Sequence, residues 1–134
     1  MRVATIDCGT NTVLLLVAEV RPGQTPRTIA IEERLEITRL GQGLDQSGVL
    51  REEAMLRTLA ALESHAERAR ALGAAQVVAV GTESLRAARN SDAFLARAAA
   101  AGVPLRVLSG DEEAWASFRS VVASLPPPAG GLWS

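Results

Sequence analysis

Apolar and polar positions alternate in more than one rhythm along this chain, and each rhythm predicts a different element. Val3 to Ile6 and Val13 to Val20 are strand-favouring runs separated by the polar stretch Asp7 to Thr12, which predicts two strands joined by a short turn. Arg21-Pro22-Gly23-Gln24-Thr25-Pro26 reads as a turn. Beyond it, Ile29, Ile31, Glu33, Leu35 and Ile37 alternate with more polar residues at period two, the pattern of a third, half-buried strand. Glycines mark residues 40–48 as a loop.

From Arg51 to Leu72 no Gly or Pro interrupts, and Met55, Leu59, Leu62, Ala66 and Ala69 share one helical face, so a long helix is expected to stop at Gly73. His65 lies beside that stripe and reads as a surface or boundary histidine. Gln76 to Val80 is a short apolar run of the buried parallel-strand type. A helical turn carrying Arg86 follows, and Asn90 or Ser91 can cap a helix running to about Ala101. Leu105 to Leu108 reads as a last strand. Ser109 and Glu112 fit a capping box for a final helix, which Pro126-Pro127-Pro128 forbids beyond Leu125. The expected order is β-β-β-α-β-α-β-α, an α/β domain with a five-stranded mixed sheet and flanking helices.

With 134 residues and 48% hydrophobic content, one domain over 1–125 is expected, with 126–134 as a Pro/Gly tail or the start of an interdomain linker. No apolar run approaches the roughly 20 residues of a membrane span, and no signal pattern opens the chain, so a cytoplasmic location is the default. A formal net charge of −1, without a basic run or an aromatic patch, argues against nucleic acid. One cysteine and one histidine exclude an internal disulfide and a His/Cys metal cluster, so any metal would be held by carboxylates.

The polar stretch after the first strand carries the chemistry. Asp7 offers a hard oxygen suited to Mg²⁺, Gly9 would let the backbone reverse at positive φ, and Thr10, Asn11 and Thr12 bring donors that can converge on a phosphate. An ordinary hairpin turn has the same composition. Gly81-Thr82-Glu83-Ser84-Leu85-Arg86 forms a second possible anion site at a strand end. Asp7, Thr82 and Glu113 each follow the C-terminal end of a predicted strand, the edge where such sheets bind ligands, so the three are expected to converge. Glu112 and Glu83 read as a helix cap and a solvated residue.

Asp7, Gly9, Thr10 and Asn11 resemble the first phosphate loop of the actin, hexokinase and heat-shock ATPase superfamily, whose domains have a ribonuclease H-like core with the element order given above. Within it the chain resembles the exopolyphosphatase and guanosine pentaphosphate phosphohydrolase family. Val80 to Leu95 is similar to that family's Thr-x-x-Leu-Arg segment. Val107 to Ala114 is similar to its Ser-Gly-x-Glu-Glu-Ala motif, and Arg39-Leu40-Gly41, Gly43, Gly48-Val49-Leu50 and Glu53-Ala54 are similar to its loop before the long helix.

The resemblance implies that Glu113 is the base that deprotonates the attacking water, that Arg86 grips a phosphate, and that the Asp7 to Asn11 loop holds phosphate and Mg²⁺. It implies polyphosphate or guanosine pentaphosphate as substrate. Arg39 would bind phosphate farther along, or is a loop arginine on the surface. Cys8 stands where the family has an aliphatic residue and reads as a small buried hydrophobe, and Trp115 stands where the family often has Arg. The family continues into a second domain bearing an Asp-x-Gly-Gly-Gly-Ser loop, for which this chain has no counterpart, and family analogy suggests a homodimer. Two readings follow. The chain is the N-terminal half of a phosphoanhydride hydrolase, expected to fold but to turn over little alone, or it is a stand-alone, non-catalytic module that binds polyphosphate or alarmone, or that dimerises.

Overall fold

The computed structural model describes residues 1–21 and 27–109. Its five strands are β1 (Arg2–Cys8), β2 (Thr12–Arg21), β3 (Arg27–Ile37), β4 (Gln76–Gly81) and β5 (Leu105–Val107), and its helices are α1 (Leu44–Ser47), α2 (Glu52–Ala71), α3 (Glu83–Ala87) and α4 (Ser91–Ala100). The strands form one sheet in the order β3-β2-β1-β4-β5. β1, β2 and β3 pair antiparallel, whereas β4 and β5 run parallel to β1. This is the five-stranded mixed sheet expected from the sequence. The turn at 22–26, the final helix and the tail at 126–134 lie outside the described residues.

Strand periodicity decides which residues make the core. Ala4, Ile6 and Cys8 of β1 and Val13, Leu15 and Val17 of β2 are buried in one cluster with Met55, Leu62, Ala66 and Ala69 of α2 and Phe94 and Ala98 of α4. All five sequence-predicted apolar positions of α2 pack there, with Leu59 only partly buried. Alanines let the helix approach closely, and the buried arc widens as a result. Thr58 and His65 are drawn in, at 0% and 2% exposure. His65 is therefore a core residue and not the boundary histidine expected. Its Nε2 lies 3.1 Å from the Val13 carbonyl, which can only accept, so Nε2 carries the proton.

β3 also departs from expectation. It is an edge strand with Leu35 59% and Ile37 69% exposed, not half-buried. Its register pairs Leu35 with Leu14 and Ile37 with Thr12, on the sheet face turned away from α2. The α2 side of β3 carries charge, and Glu32 is held by Nε and Nη2 of Arg68 at 2.7 and 2.8 Å. Charged, helix-tied edges resist pairing with other chains.

The glycine-rich stretch at 40–48 is not wholly loop. Gly43 and Gly48, at φ 74° and 75°, bracket the short helix α1. Asn90 precedes α4 but makes no side-chain cap. Its amide instead clasps the backbone of Leu50, accepting from the N–H at 2.7 Å and donating to the carbonyl at 3.0 Å. This fixes the entry to α2 against the α3–α4 turn. No helix among the described residues is long and apolar enough to cross a membrane.

Candidate phosphate and metal site

Cys8 pairs with Val13, so the β1–β2 connection is a tight loop over Gly9, Thr10 and Asn11, closed by a Gly9 N–H to Thr12 carbonyl bond of 2.9 Å. Gly9 is not among the left-handed glycines. The expected positive φ is thus corrected. Its role is spatial, because Gly9 lines a cavity of about 460 Å³ together with Asp7, Thr10, Asn11, Thr12, Leu14, Leu35 and Thr82.

The loop's carbonyls are taken up from behind. Gly41 N–H donates to the Thr10 carbonyl at 2.9 Å, and the N–H groups of Thr38 and Arg39 both donate to the Asn11 carbonyl at 3.0 Å. The Thr10 and Asn11 amides have no backbone acceptor among the described residues. Such a loop presents donors and hides acceptors, the electrostatic requirement for an anion. Arg39 is the one non-glycine residue with positive φ, at 52°, among those described. It holds this disfavoured backbone while its N–H serves the loop. Its side chain is exposed and does not line the cavity.

Asp7 and Thr82 are brought together by the parallel pairing of β1 and β4, in which Asp7 sits opposite Val80 and Cys8 opposite Gly81. Asp7 projects opposite to Ile6 and Cys8 and lines the cavity, as does Thr82, 6% exposed. Cys8 is buried beside Asp7, and burial, reinforced by that carboxylate, pushes its thiol up to about 12. It is the small buried hydrophobe expected, with no nucleophilic character.

No group of three or more His, Cys, Asp or Glu among the described residues is placed to hold a metal. The donor set at hand is one carboxylate with the hydroxyls of Thr10, Thr12 and Thr82 around an open cavity. That set fits Mg²⁺, which keeps several waters and takes one or two carboxylates plus phosphate oxygens.

Arg86 is placed differently from the others. Its Nη1 donates to the Leu108 carbonyl at 2.8 Å, and it is not one of the residues lining the cavity. Leu108 in turn donates from its N–H to the Gly81 carbonyl at 2.9 Å, so the end of β5 is drawn beside the end of β4. Glu113 lies outside the described residues. Sequence reasoning did not single out Leu14 and Leu35 as lining residues. The hairpin register supplies the missing signal, because a tight loop after Cys8 sets Leu14 opposite Asp7.

A model of the Ppx/GppA phosphatase family matches residues 16–133. Exopolyphosphatase 2 of Mycobacterium tuberculosis is 40% identical over 131 residues, covering 92% of this chain and 41% of that protein. Guanosine-5'-triphosphate,3'-diphosphate pyrophosphatase of Vibrio vulnificus is 37% identical over 119 residues, 88% of this chain and 23% of that protein. The crystal structure of the Aquifex aeolicus member of the Ppx/GppA family superposes with a TM-score of 0.82 at 32% identity, over 95% of this chain and 41% of that one. The chain thus spans less than half the length of the curated relatives it matches.

Proposed function

Since the chain belongs to the Ppx/GppA phosphatase family, we propose that it forms the phosphate- and metal-binding half of a phosphoanhydride hydrolase that releases terminal orthophosphate from polyphosphate or guanosine pentaphosphate. The observation that carries this reading is the cavity lined by Asp7, Gly9, Thr10, Asn11 and Thr82 beneath a loop whose carbonyls are bonded from behind. In the proposal, the Thr10 and Asn11 amides and the Thr10, Thr12 and Thr82 hydroxyls bind the transferring phosphate, and Asp7 holds Mg²⁺. When bound, Mg²⁺ neutralises charge on the phosphate oxygens. Glu113 takes the proton of the attacking water. A positioned base of this kind contributes about 10²–10⁴-fold, and positioning with charge neutralisation supplies most of the remainder.

Arg86, whose Nη1 donates to the Leu108 carbonyl, is proposed to grip a phosphate of the substrate. Arg39 is proposed to contact phosphates beyond the terminal one. Hydrolysis is proposed for a protein that joins this chain to a counterpart of the relatives' remaining length. For the chain alone the proposal is binding.

The test is orthophosphate release from tripolyphosphate by such a joined protein. It should require Mg²⁺, fall at least about 100-fold in Glu113→Gln, and fall comparably in Asp7→Asn. Release that survives both substitutions would sink the assignment.

A further inference from the structure

Thr10 borders two cavities, the phosphate cavity and a second of about 290 Å³ edged by Gly41, Asp45 and Ser84. Both branches of its side chain are held. Ser84, at the start of α3 and 2% exposed, shares a hydrogen bond of 2.8 Å between its Oγ and Oγ1 of Thr10 across 74 residues of sequence. The Thr10 methyl lies against Gly41 so closely that a Cβ added at that glycine would overlap it, while standing 3.1 Å from the Ser84 hydroxyl. The Gly41 N–H also ties down the Thr10 carbonyl. A β-branched side chain with methyl and hydroxyl both fixed has one rotamer open to it.

Either hydroxyl can donate in this bond, and the two arrangements differ in what Thr10 offers a ligand. A hydroxyl has one proton and two lone pairs. When Oγ1 of Thr10 accepts from Ser84, its own proton is left for another acceptor, such as a phosphate oxygen. Were Thr10 to donate to Ser84 instead, it would face an incoming phosphate with lone pairs only. We propose that Ser84 is a positioning residue for anion binding: by donating to Thr10 when the ligand binds, it leaves the Thr10 O–H for the ligand, with Gly41 as the surface against which Thr10 is set. The inference rests on the phosphate reading of the site given above. It adds a residue that touches no ligand and acts through another, and a partner already in place lowers the cost of fixing a donor at the moment of binding.

The experiment is a double-mutant cycle read by calorimetric titration of this chain with tripolyphosphate in the presence of Mg²⁺. Ser84→Ala should weaken binding about 3–10-fold, the worth of one oriented hydrogen bond. Thr10→Val, which keeps the shape and removes the hydroxyl, should weaken it by at least as much. In the Thr10→Val background, Ser84→Ala should have no further effect, because no hydroxyl remains to accept from Ser84. Ser84→Cys, nearly the same size with a weak donor, should fall between wild type and Ser84→Ala, and it replaces Ser84→Ala in the cycle if that variant does not fold. Equal losses in both backgrounds, as a merely structural serine would give, overturn the proposal, as does a silent Ser84→Ala beside a weakened Thr10→Val. Those two outcomes leave the phosphate site standing. No binding by the unaltered chain, or a Thr10→Val that binds as wild type, overturns the site reading and this inference with it.

Discussion

The two faces of the sheet are built from alternate residues of the same strands, yet one is packed and the other is poised. On the α2 face, Ile6, Val13, Leu15 and Val17 are fully buried. One residue along, on the opposite face, Asp7, Leu14 and Leu35 line an open cavity. A period of two thus lets one strand serve stability and chemistry together, with little coupling between them. The packed face holds the β1–β2 hairpin still, and the loop at its end can then display donors without a core of its own.

The largest expected effect breaks the packed face. Ile6→Ala should cost about 2–5 kcal/mol, the loss for a buried aliphatic side chain with a cavity left behind, measured by urea denaturation. Its neighbour Asp7→Asn should cost far less, about 1 kcal/mol or under, but should abolish the rise in melting temperature expected of the wild type with Mg²⁺ and tripolyphosphate. If Asp7→Asn proved as destabilising as Ile6→Ala, the division of labour between the faces would be wrong.

Gly9→Ala sharpens the same contrast inside the loop. A Cβ there would meet the Thr12 carbonyl oxygen at 3.4 Å and the Thr82 hydroxyl at 3.9 Å, ordinary contacts, at a residue that is not left-handed. The fold should tolerate it. The methyl would nonetheless enter the cavity, so tripolyphosphate affinity should drop about tenfold or more, a difference of about 1.4 kcal/mol. A large loss of stability with affinity kept would show that Gly9 serves the backbone instead.

Arg39 couples a backbone cost to a proposed ligand contact. Relief of its left-handed strain is worth about 1–2 kcal/mol, and the added freedom of glycine in the unfolded chain offsets about 0.5–1 of that. Arg39→Gly should therefore gain roughly 0.5 kcal/mol in thermal denaturation, whereas Arg39→Ala, still strained, should gain nothing. Both should weaken tripolyphosphate binding equally, because each removes the guanidinium. Unequal weakening would assign the effect to the loop's shape.

Much of this was legible in the sequence because periodicity reports burial directly. The α2 stripe, the hairpin with its polar loop, and the parallel β4 all stand where the residue pattern puts them, and Asp7 and Thr82 meet as strand ends of one sheet must. What stayed hidden depends on neighbours distant in the chain. The alternation around Leu35 and Ile37 predicts a strand but not its place at the edge, beyond the cover of α2. His65 looks like a boundary residue until the alanines around it bring the helix close. Asn90 carries cap chemistry that the Leu50 backbone captures first, and the hydroxyl partner of Thr10 is 74 residues away. No local pattern encodes that pairing.

The smallest expected effect tests how the edge strand is held. Glu32 titrates below its ordinary value of 4.5, because Arg68 hydrogen-bonds its carboxylate and the Arg68 and Arg34 charges add to the effect. A group whose folded value is depressed contributes stability above its unfolded value and loses it as pH falls through the folded one. The tie between β3 and α2 should therefore weaken under acid and also under salt, since both partners are accessible to solvent. Glu19 is lowered as well, chiefly by its hydrogen bond with the N-terminal amine, so acid sensitivity of the wild type alone would not isolate Glu32. The difference between wild type and Glu32→Gln does isolate it. The wild type should be slightly the more stable at neutral pH, as befits an exposed ion pair. That advantage should vanish on acidification below the ordinary carboxylate range, with amide exchange of β3 accelerating before that of β1. Parallel stability curves for the two proteins would mean that β3 is held by its hydrogen bonds to β2 alone, and that the charged side of the edge serves only to keep other strands away.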